Sequence, residues 1–316
     1  MSTHTFDALE VIKRPTATAD VASRSKLGVA GIAFGVMGLG VAAVSLIANL
    51  VEANDASAGR ASTLAWSFGL NFAAFTTLKL GIALTLMGIL VRLWMRVDSI
   101  KAALPALRAP VEPEAAPKYG EIDTPFGKAT ASAKAPSLLF VHRMAKKMYA
   151  PMVAMGPMLV LLGLVLAIVQ AHRTGEPDTF AKLSAWVQGT QFLGEGFILA
   201  GISFLLGSIL ASFRAGGGEV QESLGLTVKT LRMPLTAKAF LGLMALGLMT
   251  AMVQFVLYIV AAYADVNRAV WFAFLGPVRE VALGSLLLGV VLALYTIGTV
   301  LEFQFSRVKE IITTGR

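Results

Sequence analysis

The chain has 316 residues, of which 56% are hydrophobic and only 15% charged, with a mean hydropathy of +0.72 and a formal net charge of +8. About a quarter of an average soluble domain is charged, so this balance excludes a typical cytosolic enzyme or nucleic-acid-binding domain, despite a basic pI near 9.8, and indicates an integral membrane protein. Cysteine is absent and three histidines occur, which excludes disulfides, thiolate metal sites, iron–sulfur clusters and covalently attached haem.

Residues 1–26 are polar and mixed in charge, too long for the n-region of a signal peptide, and read as a cytoplasmic tail. The first apolar run, 27–50, exceeds the usual h-region and reads as a retained span. Along it Gly28, Gly31, Gly35 and Gly38 fall at i, i+3, i+7 and i+10, a seam of missing side chains that lets a second helix approach closely. Whether that helix belongs to this chain or to another is left open by the spacing. The second run, 65–93, holds Lys79 and continues as a polar helical extension, so that 27–101 forms a first transmembrane hairpin.

Residues 102–140 contain six of the twelve prolines and read as a Pro/Ala-rich cytoplasmic linker, extended or disordered in isolation. The second hairpin with its connection occupies 141–238. Its first span, 149–171, follows the basic stretch from His142 to Lys147, which attracts anionic headgroups but is sufficiently explained by span orientation. Met144, Met148, Met152, Met155 and Met158 make a thioether stripe of the kind a Cu(I) path needs. The outer loops offer only His172 to capture copper, so adaptable apolar filling is the better reading. His142 and His172 flank opposite ends of one span and cannot share a haem.

The fourth run, 186–213, carries Glu195 and the small residues Gly194, Gly196, Gly201 and Gly207. The Arg214-Ala-Gly-Gly-Gly-Glu219 segment lacks the strand and the Lys-Ser/Thr ending of a phosphate loop and reads as a flexible exit from the helix. Runs at 239–264 and 270–301 form the third hairpin, 239–316, with a cytoplasmic C-terminal helix. Arg279 and Glu280 interrupt the last run just after Gly276-Pro277, which points to a helix start or kink there. A local echo pairs Trp94–Ile100 with Phe305–Ile311, Arg-Val at the third and fourth positions of both, and suggests a threefold pseudo-repeat.

Basic residues near the span ends collect on one side: Arg24 and Lys26, Arg92 and Arg96, Lys146 and Lys147, Arg214 and Lys238, Arg307 and Lys309, among others. The other side has only Arg60, Arg173, Lys182 and Arg268. Both termini are therefore expected in the cytoplasm.

The expected fold is an all-α six-helix bundle of three hairpins in a plasma membrane of the bacterial inner-membrane type. Lys79, Glu195, Arg279 and Glu280 form its intramembrane charge set. A charge at bilayer depth costs about 2.5–3.5 kcal/mol on insertion scales and normally faces protein or water. Two acids and two bases balance, which favours an interhelical ion-pair lock over a proton or ion relay past Glu195 and Glu280. No catalytic residue, metal ligand or cofactor is expected. The sequence points to a non-catalytic subunit that anchors or scaffolds a larger assembly, with a small transporter or channel as the alternative. Expected partners are membrane lipids, other subunits or further copies of the chain, and an acidic cytoplasmic protein at the basic face, but no nucleic acid.

Overall fold

A computed structural model describes residues 18–54, 60–109, 119–137, 140–264 and 268–315. Its helices are α1 (Thr18–Asn54), α2 (Arg60–Leu107), α3 (Phe140–Ala171), α4 (Pro177–Ser223), α5 (Leu235–Ala262) and α6 (Arg268–Thr314). All six contain apolar stretches long enough to cross a membrane, since about 20 helical residues span the hydrocarbon core and helices satisfy their own backbone polar groups in lipid. The chain is thus built as a multi-pass helical membrane protein.

The helices are not arranged as equals. Each packs on its neighbour in sequence, α1 on α2, α3 on α4 and α5 on α6, and α4 also touches α2, α5 and α6. Every residue from 189 to 206 of α4 is buried, which makes α4 the axis of the bundle. Its sequence accounts for this. A helix that is apolar or small on all sides has no face to give to lipid or water, and α4 places Gly194 and Gly201 towards α3 and Gly196 towards α5. A Cβ on Gly194 would lie 2.7 Å from the carbonyl oxygen of Gly156.

The glycine seam of α1 finds its partner within the chain. A Cβ on Gly31 would lie 2.8 Å from the carbonyl oxygen of Gly81 on α2, and one on Gly81 would lie 2.7 Å from that of Gly31. Gly38 meets the Ala74 carbonyl in the same way, whereas a Cβ on Gly35 would point into open space. Gly28 lies one turn earlier on α1. Ser45 Oγ donates to the Ser67 carbonyl at 3.0 Å near the far end of this pair. Because the chain is cysteine-free, a Ser45→Cys/Ser67→Cys pair reports directly on α1 docking. Oxidative cross-linking of that pair should fall several-fold when Gly31→Leu is added, because overpacking there pushes backbone against backbone. It should survive Gly35→Leu. Equal cross-linking in both variants would remove the seam from the α1–α2 contact.

Helix α1 begins at Thr18, so the segment expected as a tail through residue 26 is helical from 18 onward; residues 1–17 lie outside the described part. Likewise α6 starts at Arg268 and continues through Gly276 and Pro277, rather than starting there. The glycine segment 214–219 is not a flexible exit either, because α4 runs on to Ser223. Its three glycines admit neighbours: a Cβ on Gly216 would meet Val97 at 2.7 Å, and one on Gly218 would meet Pro136 at 2.9 Å, while Gly217 lies under the Gln304 amide.

The largest departure from expectation is β structure. Within the 102–140 connection, β1 (Gly120–Thr124) and β2 (Gly127–Ser132) form an antiparallel hairpin, and β3 (Val228–Leu231), from the connection between α4 and α5, pairs with β2 in the order β1-β2-β3. The fold is therefore mainly α with a small sheet rather than purely α. Pro125 and Phe126 make the two-residue turn, Thr124 Oγ1 donating to the Gly127 carbonyl at 2.6 Å, and Gly127 takes a φ of +119° that suits glycine. Ala129, Leu231 and the ring of Phe126 pack on Leu210, Val300 and Phe303, which docks the sheet on the flanks of α4 and α6. The Pro-rich residues 110–118 lie outside the described part.

Helices α2, α4 and α6 have 48, 47 and 47 residues. At 1.5 Å per residue each is about 70 Å long, more than twice the hydrocarbon core. Beyond the apolar runs they keep packing as a three-helix stalk around Leu104, Val220, Leu226 and Ile311, with Val97, Ile100 and Val308 at its edge. The paired positions of the local echo, Val97 with Val308 and Ile100 with Ile311, thus enter one core.

Candidate functional site: an intramembrane charge set on the central helix

Gln191 and Glu195 lie four residues apart on α4, hence on one face, and that face meets α2. Gln191 Nε2 points to the Gly69 carbonyl at 3.4 Å. One turn further, Lys79 Nζ donates to Glu195 Oε1 at 2.6 Å. The side chains are 19% and 6% exposed, so the carboxylate is buried while the ammonium retains an edge. The four-carbon stem of Lys79 lets its ammonium reach the carboxylate from α2.

Arg279 on α6 faces the same region. It lines a cavity of about 230 Å³ together with Glu195, Asn71, Phe72 and Leu283. The guanidinium carbon sits 5.9 Å from the centre of the Phe72 ring, within range of a cation–π attraction. The structure thus gathers Lys79, Glu195 and Arg279 at one place between α2, α4 and α6. Glu280 lies on α6 next to Arg279, but its side chain is outside the described part.

Below this polar level the core is mainly apolar. On α4 Ile198, Leu199, Ile202, Leu205, Leu206 and Ile209 are buried against Ala83, Leu90, Val153, Phe240, Leu286 and Ala293. From Glu195 to Ile209 this layer is about 20 Å deep at the helical rise. Its polar atoms on α4 are Ser203 Oγ and Ser208 Oγ, both buried and without a hydrogen-bond partner among the described residues. Of the methionine stripe, Met144, Met155 and Met158 are exposed on α3, and Met148 and Met152 are half-buried.

A second polar centre has no signature in the sequence. Gln221, 1% exposed, sits in the stalk where α4, α6 and β3 meet. Its amide donates to the carbonyls of Gly217 and Lys229, both at 3.0 Å. Its oxygen accepts from the Lys229 N–H at 2.9 Å and from Arg307 Nε at 3.2 Å. Arg307 also pairs with Glu310, which takes Lys229 Nζ at 3.0 Å. Lys101 with Glu219 at 2.8 Å, and Arg108 with the carbonyls of Leu224 and Gly315 at 2.8 Å each, tie α2 to the other two helices. A lone Gln in a polar helix end carries no motif, so only the fold reveals this role.

Comparison with protein families, with curated proteins and with solved structures yields no match to this chain.

Proposed function

We propose that this chain is a cofactor-free, non-catalytic membrane subunit that anchors or scaffolds a larger membrane-associated assembly, held in a plasma membrane of the bacterial inner-membrane type as three transmembrane hairpins with both termini in the cytoplasm. The observation that carries this reading is the stalk. Three helices run on past their apolar spans and are fastened to one another by Gln221, Arg307, Lys101 and Arg108 and to a small sheet, a rigid platform with no purpose for the lipid-embedded part alone. The basic residues around that end give it a charge suited to acidic partners. Within the bundle the reading takes Lys79 and Glu195 as an interhelical lock that selects which helices pack.

The experiment is purification of the tagged chain from its own host in native nanodiscs, with mass spectrometry and native sizing. Stoichiometric recovery of other subunits supports the assembly role. Recovery of the chain alone, as a monomer or homo-oligomer, counts against it.

One observation favours a second reading, a small transporter or channel. The cavity beside Glu195 and Arg279 is large enough for several waters or a small ion. The apolar layer beneath it opposes conduction in this conformation, so the reading requires a second state that opens between α2, α4 and α6. Reconstituted flux that is lost in Glu195→Gln would establish it.

A further inference from the structure

The sequence places a basic stretch, His142 to Lys147, at the start of α3, and span orientation alone explains its charge. It does not explain how two of the groups nearby are buried. His142 is 6% exposed, and its Nδ1 has no hydrogen-bond partner among the described residues. Arg214 on α4 is half-buried, its Nε likewise lacks a partner, and no carboxylate pairs with it among the described residues. The two residues line one cavity together with Gln304. Buried polar groups are normally paired, and a guanidinium more strictly than most. The stalk beside them shows the contrast, since Arg307 there is fully engaged by Gln221 and Glu310.

What lies next to the pair is mainly apolar. Helices α3 and α5 both pack on α4 and leave a slot between them, lined by Val141, Ala145, Gly207, Phe240, Leu241 and Met244. His142 and Ala237 line both this slot and the Arg214 cavity. The enclosed part of each is about 20 Å³, enough for one water-sized group such as a phosphate oxygen, and the remainder is open to the side. The floor is Gly207, where an added Cβ would find ordinary contacts at 3.6 and 4.0 Å, unlike the crowded glycines elsewhere on α4. Gly207 is seven residues from Arg214, about 10 Å along the helix. A cationic group, an unpaired ring nitrogen and an adjoining apolar slot whose lining reaches Gly207 suit the headgroup and first carbons of a lipid.

From this arrangement we infer that one anionic phospholipid binds between α3 and α5, its phosphate held by Arg214 and His142 and the upper part of an acyl chain lying over Gly207. Arg143 and Lys147, exposed on the same turns of α3, raise the local concentration of anionic headgroups at the entrance. Arg214 donates charge-assisted hydrogen bonds to the phosphate, and His142 donates from Nδ1. The site does not depend on the assembly reading and stands or falls separately from it.

The test is native mass spectrometry of the full chain released from mild detergent, titrated with phosphatidylglycerol or phosphatidylcholine, and repeated with inorganic phosphate on protein in phosphatidylcholine nanodiscs. One phosphatidylglycerol should be retained per chain, preferred by about tenfold over phosphatidylcholine, whose choline cation offsets its own phosphate and is repelled by the basic residues at the entrance. Arg214→Gln should bring that preference close to unity, and Arg214→Lys should keep part of it. Gly207→Leu leaves every cation in place and should weaken retention of both lipids. Equal retention of the two lipids by the unmodified chain overturns the proposal, as does an undiminished preference in Arg214→Gln. Unchanged retention in Gly207→Leu removes the chain from the slot. Binding of inorganic phosphate without retention of phosphatidylglycerol would make this a site for a free anion and the lipid assignment wrong. Should Arg214→Gln fail to fold, the lipid preference of the unmodified chain and the Gly207→Leu result decide.

Discussion

Replacing Glu195 by Gln should destabilise the bundle by about 3 kcal/mol, the usual cost of leaving one member of a buried ion pair without its partner, and adding Lys79→Met should restore most of that loss. The expectation follows from the asymmetry of burial. Bringing Lys79 and Glu195 out of water costs several kcal/mol, offset by their 2.6 Å contact in a medium of low dielectric. In Glu195→Gln the Lys79 ammonium keeps its desolvation cost and loses the carboxylate. In the double variant neither charge remains, and the methionine thioether fills much the same volume as the lysine stem. Lys79→Met alone should be costly too, though less so where the cavity beside Glu195 lets water reach the carboxylate. Thermal unfolding of the four proteins in one nanodisc composition closes the double-mutant cycle. Strictly additive losses would mean that the two side chains do not stabilise one another, and the lock would then have no basis.

The spans are legible because lipid imposes a length and a composition that no other environment requires. The charge set is legible for a related reason: ionisable residues in such runs are so costly that each demands a partner, and counting depth from the span ends places Lys79 within reach of either Glu195 or Glu280, a choice the fold makes. The central position of α4 is also written in the residues, in glycines that fall on more than one face and in Gln191 and Glu195 pointing one way, but it requires reading the helix all round rather than as a list of small residues. Equal treatment of the six runs conceals it.

The sheet is less legible for a physical reason. Strand β3 pairs with β2 across roughly a hundred residues of chain, and such pairing has no local signature. The turn itself has one, since Thr-Pro-Phe-Gly at 124–127 places Pro and Gly where a tight turn takes them, but it stands in a proline-rich connection that composition alone assigns to linker. The run of glycines at 216–218 misleads in the opposite sense. Their conformational freedom suggests a break, yet Val97, Gln304 and Pro136 lie so close that larger side chains would not fit, and packing overrides propensity.

Gln221→Leu should cost about 3 kcal/mol or more, concentrated in the stalk and sheet and sparing the lipid-embedded helices. An amide side chain has two N–H donors and two acceptor lone pairs, and Gln221 uses all four, on Gly217, Lys229 twice and Arg307. Two of these bonds engage both backbone groups of Lys229, so the side chain does for the free edge of β3 what a further strand would do. Leucine fits the space but leaves the Lys229 N–H and carbonyl and the Arg307 Nε unpaired, at about 1–3 kcal/mol for each buried group. Gln221→Glu keeps the two acceptor bonds and loses the donor ones, so it should fall between the parent and the Leu variant. Hydrogen exchange resolves where the loss occurs: the amides of Lys229 and Thr230 should exchange far faster in Gln221→Leu, while those of α4 between Gly189 and Leu206 should not change. If the strand amides stay protected, Gln221 is a passenger in the stalk, and β3 must be held by β2 and the apolar contacts of Leu231 alone.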